Sequence, residues 1–203
     1  MNKIMIKFSI ATVCYNAGSL LPRTIASVEA QDFPAIEHLI IDGNSQDETL
    51  AHIHHYQERN SRATVQHDIV CRSEPDEGLY DAMNKGARRA SGEWIIFMNA
   101  GDTFVNEHVI SKMFGQADKE TDVIYGDIMK NGQLKSSLSP RNCHKMFYCH
   151  QGVFTRTSCL CEIPFDIKHR YSADFKQAKQ LFLAGKRFQH IDIPVANFDT
   201  NGL

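Results

Sequence analysis

The first hundred residues alternate between short apolar runs and longer amphipathic segments. The clearest apolar run is Trp94-Ile95-Ile96-Phe97-Met98, which contains no polar side chain and is therefore typical of a strand buried on both faces. Strand patterns are also predicted at residues 4–14, 36–41 and 64–73, and helical patterns at residues 19–31, 78–90 and from the capping box Ser45-Gln46-Asp47-Glu48 to about residue 59. Strands that alternate with helices at this spacing favour βαβ units and a mostly parallel sheet flanked by helices.

Residues 104–203 do not keep this strict alternation. They predict a helix at residues 172–184 and strands at residues 122–127, 128–138, 152–156 and 187–195. Strands without intervening helices favour an antiparallel extension joined to the first sheet. Because no segment rich in proline, glycine or serine separates the two parts, we expect one α/β domain that covers residues 1–203.

The charge balance and hydropathy exclude several classes of protein. Lys and Arg number 22 and Asp and Glu number 24, so the net charge of −2 gives no electrostatic argument for binding nucleic acid. No apolar stretch approaches the roughly 20 residues that span a bilayer, and residues 1–8 lack the long apolar centre of a signal peptide. Without an export signal, the cysteines are expected to be reduced thiols. The spacing of Cys143, Cys149, Cys159 and Cys161 is not that of a zinc knuckle and disfavours a structural zinc site.

Carboxylates follow most of the predicted strands. They are Asp42 after the second strand, Glu74, Asp76 and Glu77 after the third, Asp102 after the fourth and Asp127 after the fifth. Ligands of open parallel sheets bind outside the carboxyl ends of the strands, so we expect several of these side chains to converge. Hard oxygen ligands suit Mg²⁺ or Mn²⁺, which would offset their repulsion and commonly also hold substrate phosphates. The pattern indicates a metal-assisted site for a phosphate-containing ligand, the alternative being unrelated helix caps and turns.

Four segments, in this order, carry a resemblance to a known family. They are residues 8–16 (FSIATVCYN), 38–49 (HLIIDGNSQDET), 73–86 (SEPDEGLYDAMNKG) and 99–102 (NAGD). Together they resemble the family 2 glycosyltransferases, in particular the bacterial surface-polysaccharide branch that contains colanic acid glycosyltransferases. The resemblance covers nearly the whole chain. It implies the GT-A fold, with residues 1–103 as the nucleotide-sugar-binding half and residues 104–203 as the acceptor-side half.

The resemblance also implies roles for individual residues. Those expected against the donor are Thr12, Tyr15, Asn16, Asp42, Asp76, Gly78, Tyr80, Asn84, Lys85, Asn99 and Ala100. Among them, Asp42 is expected to bind the base or ribose and Asp76 the base. The remaining roles are those of His150 and Gln151 near the sugar or acceptor, Asp102 as the ligand of Mn²⁺ or Mg²⁺, and Asp174 as the catalytic base.

Two positions depart from the family pattern. Asn99 stands where the family's Asp-x-Asp has its first carboxylate, and its amide oxygen brings no charge. Met83 stands where many members carry an arginine that could offset the charge of the diphosphate. Lys85 offers a positive charge nearby, although on a helix it points in another direction than Met83.

The activity that the resemblance implies is inverting transfer of a sugar from a UDP-, GDP- or dTDP-linked donor to an acceptor hydroxyl. The acceptor would be a saccharide or a lipid-linked oligosaccharide, in exopolysaccharide, capsule or lipopolysaccharide assembly. A divalent ion on Asp102 would stabilise the leaving nucleoside diphosphate, and Asp174 would take the proton of the acceptor. The implied location is cytoplasmic, compatible with peripheral association at the inner face of the membrane and with a homodimer.

Two other interpretations stay open. One is a nucleotide-sugar-binding module with weak catalysis, which Asn99 and Met83 favour. The other, a sugar nucleotidyltransferase, fits less well, because its phosphate loop usually contains arginine and several glycines whereas residues 14–18 hold a single glycine. Residues 198–202 resemble a turn after which family members usually continue, so we expect a catalytic domain that is cut short or naturally minimal.

Overall fold

The computed structural model describes residues 7–63, 66–141 and 144–198. Parts of the sequence prediction lie outside these described residues. They are the beginnings of the strands predicted at residues 4–14 and 64–73, the thiol of Cys143, and all of the predicted C-terminal turn except Phe198.

The described part of the chain contains nine strands and six helices. The strands are β1 Phe8–Cys14, β2 Ile36–Asp42, β3 Asp68–Ser73, β4 Trp94–Phe97, β5 Thr103–Phe104, β6 Val123–Lys130, β7 Gln133–Lys135, β8 Val153–Arg156 and β9 Phe188–Phe198. The helices are α1 Leu21–Glu29, α2 Thr49–Asn60, α3 Leu79–Arg89, α4 Val109–Gln116, α5 Thr157–Glu162 and α6 Ala173–Leu183, and a single 3₁₀ turn, His150–Gly152, precedes β8.

The described strands form one sheet in the order β3-β2-β1-β4-β8-β6-β9-β5, with β7 paired to β6. The strands β3, β2, β1 and β4 are parallel, as their alternation with helices predicts. In the second half, β8 runs antiparallel to both β4 and β6, and β5 runs antiparallel to β9. The mostly parallel sheet with an antiparallel extension is thus confirmed, although β6 and β9 are parallel to each other.

The register of the parallel strands brings their connecting loops to one edge. Cys14 pairs with Asp42, and Asp42 pairs with Ser73, so β1, β2 and β3 end at the same level. Ala11 pairs with Phe97, so β4 ends near that level as well. The loops that follow these strands therefore emerge side by side, as an open parallel sheet requires of a ligand site.

Apolar side chains cover both faces of the sheet beneath this edge. On one face, Phe8 and Trp94 pack with Met113 of α4. On the other face, Leu39 and Phe97 pack with Met83 of α3, which is fully buried. A charged side chain at position 83 would therefore lie in the core, so Met83 does not mark a lost phosphate contact in this chain.

The structure corrects three predictions. The capping box is wrong, because α2 begins at Thr49 and the Ser45 hydroxyl donates a hydrogen bond to Asp42 instead. Asp127 does not follow a strand; it is buried inside β6, where it accepts a hydrogen bond from the Ser137 backbone at 2.8 Å. The strand predicted at residues 128–138 belongs in part to β6 and ends with β7. The elements β5, α4 and α5 were not predicted.

Candidate active site

Two adjoining cavities open at the edge where the parallel strands end. The loop cavity, of about 490 Å³, lies among the loops after β1, β3 and β4. The α6 cavity, of about 470 Å³, lies between the loop after β4, the 3₁₀ turn and the start of α6. Leu79, Asn99 and Ala100 line both cavities, so a ligand can extend from one into the other.

The structure divides the predicted site residues between these cavities. The loop cavity is lined by Tyr15, Asn16, Asp76, Gly78, Asn99 and Ala100. The α6 cavity is lined by Tyr80, Asn99, Ala100, Asp102, His150, Gln151 and Asp174. The predicted residues that line neither of these two cavities are Thr12, Asp42, Asn84 and Lys85.

Asp42 holds the loops of the site together from below. Its carboxylate is fully buried and accepts hydrogen bonds from the Ser45 backbone at 3.0 Å and from the Ser73 hydroxyl at 2.6 Å. Ser45 in turn accepts a hydrogen bond from the Asn16 backbone at 2.8 Å. Asp42 therefore fixes the shape of the loop cavity, and its contact with a base or ribose stays a prediction.

Three other residues that were expected to contact the nucleotide-sugar donor form hydrogen bonds with other parts of the protein. Thr12 is buried and hydrogen-bonds His38 at 2.9 Å. The Asn84 amide donates to the Phe165 carbonyl at 2.8 Å and accepts from its backbone nitrogen at 2.9 Å. Lys85 donates to the Pro75 carbonyl at 2.6 Å, so it supports the loop that carries Asp76.

The turn that carries Asp76 depends on two glycines. Gly78 has φ +115°, a conformation that favours glycine, and its backbone nitrogen donates to Asp76 at 2.9 Å. A Cβ added at Gly43 would lie 2.6 Å from Asp76 Oδ2 and 3.3 Å from the Tyr15 ring. Glycine at both positions thus lets the Asp76 carboxylate lie close to the Tyr15 ring.

Asn99 and Asp102 present oxygen atoms between the loops. Asp102 is 3% exposed and accepts a hydrogen bond from Gln151 at 3.1 Å. Burial raises the pKa of the Asp102 carboxyl to about 6, against the opposing effect of the Gln151 hydrogen bond. Asn99 Nδ2 lies 3.1 Å from His150 Nε2, while Asn99 Oδ1 is buried without a hydrogen-bond partner among the described residues.

These residues fit a divalent cation that is shared with a phosphate ligand. No three His, Cys, Asp or Glu side chains of the described residues form a group that could hold a metal by themselves. Mg²⁺ and Mn²⁺, however, commonly use one or two protein oxygens together with substrate phosphates. Asn99, whose Oδ1 is unpartnered among the described residues, and Asp102, whose carboxylate is buried, both line the α6 cavity and would provide such a pair.

Asp174 lies in the first turn of α6 and faces the same cavity. Its Oδ1 accepts hydrogen bonds from the Tyr80 hydroxyl and from the Phe175 backbone, both at 2.9 Å. Its Oδ2 lies 3.6 Å from His150 Nδ1. Burial works to raise the pKa of Asp174, but the neighbouring His150 ring and the hydrogen bond from Tyr80 hold it below its usual value. The carboxylate is therefore ionised at neutral pH and able to accept a proton.

The sequence did not indicate several residues that form the outer wall of the α6 cavity. Met146, Arg170, Tyr171, Phe175 and Phe198 line it. Tyr171 is 95% exposed. These residues lie on three separate segments, and no motif connects them.

Comparison with known proteins identifies the family. The family model described as "Glycosyl transferase family 2" matches residues 9–176. The chain belongs to glycosyltransferase family 2. The matched residues include the loops of both cavities as well as Asp174, so the resemblance based on four motifs is confirmed.

Curated relatives of this family 2 chain come from several bacteria. A PGL/p-HBAD biosynthesis glycosyltransferase of Mycobacterium bovis is 29% identical over 175 residues, covering 83% of this chain and 66% of the relative. An uncharacterized glycosyltransferase of Mycobacterium tuberculosis is 35% identical over 178 residues, covering 82% of this chain and 65% of the relative. The GalNAc(5)-diNAcBac-PP-undecaprenol beta-1,3-glucosyltransferase of Campylobacter jejuni is 26% identical, covering 70% of this chain and 45% of the relative. The chain thus spans about two-thirds or less of the length of these relatives.

Solved structures confirm the GT-A fold. The structure of S. aureus TarS in complex with UDP matches with a TM-score of 0.79 and 19% identity, covering 95% of this chain and 60% of that chain. A mannosyltransferase of Pyrobaculum calidifontis in complex with GDP-Man and Mn²⁺ matches with a TM-score of 0.74 and 15% identity, covering 95% of this chain and 56% of that chain.

None of the helices in the described residues has the length and apolar character needed to cross a membrane.

Proposed function

We propose that this chain transfers a sugar from a nucleotide-diphosphate donor to an acceptor hydroxyl with inversion at the anomeric carbon. The observation that carries the proposal is the arrangement of the two cavities. The loop cavity leads past Asn99 and Asp102 into the α6 cavity, where the ionised carboxylate of Asp174 lies. A donor that extends through both cavities would bring its anomeric carbon near that carboxylate.

The loop cavity has the features that a nucleotide needs. The Tyr15 side chain is 64% exposed, and its ring offers a surface for stacking a base. Asp76 lies beside this ring and can accept hydrogen bonds from the N–H groups of a base. UDP and GDP-Man occupy two structural neighbours, which supports a nucleotide-sugar donor for this chain.

The diphosphate would lie against Asn99 and Asp102. These two residues would hold Mn²⁺ or Mg²⁺ through the Asn99 amide oxygen and the Asp102 carboxylate. A divalent cation bound there supplies positive charge that stabilises the leaving nucleoside diphosphate. Gln151 keeps the Asp102 carboxylate in place through its hydrogen bond of 3.1 Å.

Asp174 would act as the general base in a single displacement. As the acceptor oxygen forms its bond to the anomeric carbon, the hydroxyl proton passes to Asp174 and the bond from the anomeric carbon to the diphosphate oxygen breaks. The leaving diphosphate takes that electron pair. Attack from the side opposite the leaving group inverts the anomeric configuration.

The outer part of the α6 cavity suits an acceptor that is both apolar and anionic. Its wall contains Phe175 and Phe198, and Lys179 and Lys130 lie over these two rings at 5.4 Å and 5.2 Å. On the same wall, Lys135 lies 3.4 Å from the Cys149 sulfur. A lipid-linked oligosaccharide offers both an apolar chain and a phosphate, and the Campylobacter relative is named for such an acceptor. This acceptor would bring the protein to the inner face of the membrane.

Binding of the donor tests this proposal, with Gly43 as the probe of the base site. We expect calorimetric titration to detect binding of UDP, GDP or dTDP in the presence of Mn²⁺. In Gly43→Ala, the added Cβ would lie 2.6 Å from Asp76 Oδ2 and would displace the Asp76 side chain. It would not contact the core. The dissociation constant for the nucleotide should rise roughly tenfold, as for the loss of one or two hydrogen bonds.

Gly115→Ala is the matched control, because a Cβ at Gly115 meets no atom within 4 Å. This variant should bind the nucleotide as the unchanged protein does. Equal affinity in Gly43→Ala would show that the base does not lie beside Asp76. Failure of all three nucleotides to bind would remove the proposed function.

A further inference from the structure

Tyr80 connects the first turn of α3 to the first turn of α6. We propose that Tyr80 is a positioning residue that orients the Asp174 carboxylate for proton abstraction, and not a residue that binds the donor. The inference rests on the proposed function, in which Asp174 is the base. It also changes the role that the resemblance implies for Tyr80, which is placed there with the donor.

The geometry fixes the direction of the Tyr80 hydroxyl. The residue is 6% exposed, and its ring lies 5.5 Å from the Phe165 ring and packs in the core beneath the site. The hydroxyl donates a hydrogen bond of 2.9 Å to Asp174 Oδ1, from a residue 94 positions earlier in the chain. Burial and the nearby Asp174 carboxylate raise the pKa of Tyr80, so the hydroxyl keeps its proton and remains a donor.

The two oxygens of Asp174 have different surroundings as a result. Oδ1 accepts two hydrogen bonds at 2.9 Å, from Tyr80 and from the Phe175 backbone. Oδ2 lies 3.6 Å from His150 Nδ1 and accepts no hydrogen bond from the residues that the structure describes. The two hydrogen bonds to Oδ1 fix the orientation of the carboxylate plane. Oδ2 is then the oxygen that receives the proton of the acceptor hydroxyl. Proton transfer to a base that is already held in one orientation is faster, because less conformational entropy is lost on reaching the transition state.

The same hydrogen bond stabilises the charged form of Asp174. Among the described residues, the titratable groups that interact electrostatically with this carboxylate include Tyr80 from α3, His150 from the 3₁₀ turn, and Tyr148 and Cys149 from the segment before it, and Arg170 lines the same cavity. Removing the Tyr80 hydroxyl leaves the other groups in place and removes one interaction that favours the ionised carboxylate. The pKa of Asp174 should then rise, and a titration of its carboxyl group should record the rise.

The test is Tyr80→Phe, which keeps the ring that packs against Phe165. We expect kcat to fall roughly tenfold and the pKa of Asp174, followed by carbon NMR of its carboxyl group, to rise by about one unit, as for the loss of a hydrogen bond to a charged group. The dissociation constant for the nucleotide donor should stay within about twofold. A role in donor binding would instead raise that dissociation constant and leave the pKa of Asp174 unchanged, and this result would overturn the inference.

Tyr125→Phe is the matched control. Tyr125 is also buried, and its hydroxyl donates to the Leu138 carbonyl at 3.1 Å, away from Asp174. This variant loses one buried hydrogen bond as well, so it measures the general cost of such a loss. It should leave the pKa of Asp174 unchanged. An equal rise of that pKa in Tyr125→Phe would assign the effect to stability and contradict the inference.

A carbon NMR titration of the aspartate carboxyl groups separates this inference from the proposed function. The Asp174 signal is identified by its absence in Asp174→Asn. Its titration should move to higher pH in Tyr80→Phe even in a sample that transfers no sugar. A moved titration without any transfer would leave the inference standing and remove the proposed function. An unmoved titration would overturn the inference whatever the turnover is.

Discussion

Asp174→Asn should lower kcat by about 10³-fold while the donor still binds with its original affinity. Asparagine has nearly the same shape, and its amide oxygen can still accept the hydrogen bonds that Tyr80 and the Phe175 backbone donate at 2.9 Å. It cannot take the acceptor proton, because an amide is not a base at neutral pH. A positioned general base contributes typically 10²- to 10⁴-fold, which sets the expected loss.

The measurement is the initial rate of nucleoside diphosphate release, together with the calorimetric dissociation constant of the nucleotide. Asp192→Asn serves as the control, because Asp192 is an exposed carboxylate of β9 and lines neither cavity. This control should keep the original kcat. Normal turnover of Asp174→Asn would show that another group takes the proton.

Asp102→Asn should abolish most of the stimulation by Mn²⁺ and lower kcat by roughly 10²-fold or more. Its carboxylate is the only charged side chain among the predicted residues of the loop after β4, residues 99–102, so the amide leaves no negative charge there. The Gln151 hydrogen bond of 3.1 Å can still form to the amide oxygen, which keeps the fold of the site. Loss of a charge that holds a cation at a diphosphate removes several kcal/mol of transition-state stabilisation.

Electron paramagnetic resonance of Mn²⁺ in the presence of UDP or GDP measures this loss directly. The bound fraction should fall in Asp102→Asn and stay unchanged in Asp118→Asn, since Asp118 is an exposed carboxylate that lines neither cavity. Unaltered Mn²⁺ binding in Asp102→Asn would mean that the metal is held elsewhere. The account of Asn99 and Asp102 as an oxygen pair would then be wrong.

The first half of the fold could be predicted because its signals are local. The run Trp94-Ile95-Ile96-Phe97-Met98 indicates a buried strand through its composition alone, and the alternation with helices fixes a parallel sheet. The elements β5 and α5 have only 2 and 6 residues. Segments this short carry too few positions for a hydrophobic period to be recognised. α4 carries Gly115 near its end, which weakens its helical signal.

The motifs predicted which segments form the candidate site, but not the direction of each side chain in it. The segment at residues 73–86 indicated a donor pocket, but the direction of each side chain follows from the packing of α3. Met83 enters the core, Asn84 turns to Phe165, and Tyr80 reaches Asp174. That last contact joins residues 94 positions apart, and no periodicity within either segment could reveal it.

The most direct test of the central claim is analysis of the products formed with UDP-, GDP- and dTDP-sugars, Mn²⁺ and a panel of p-nitrophenyl glycosides as acceptors. We expect one nucleoside diphosphate to be released for each new glycosidic bond, with proton NMR showing the anomeric configuration opposite to that of the donor. A product with the donor's own configuration would contradict the single displacement with Asp174 as base. Release of pyrophosphate or of a sugar phosphate in place of the nucleoside diphosphate would contradict the transferase itself.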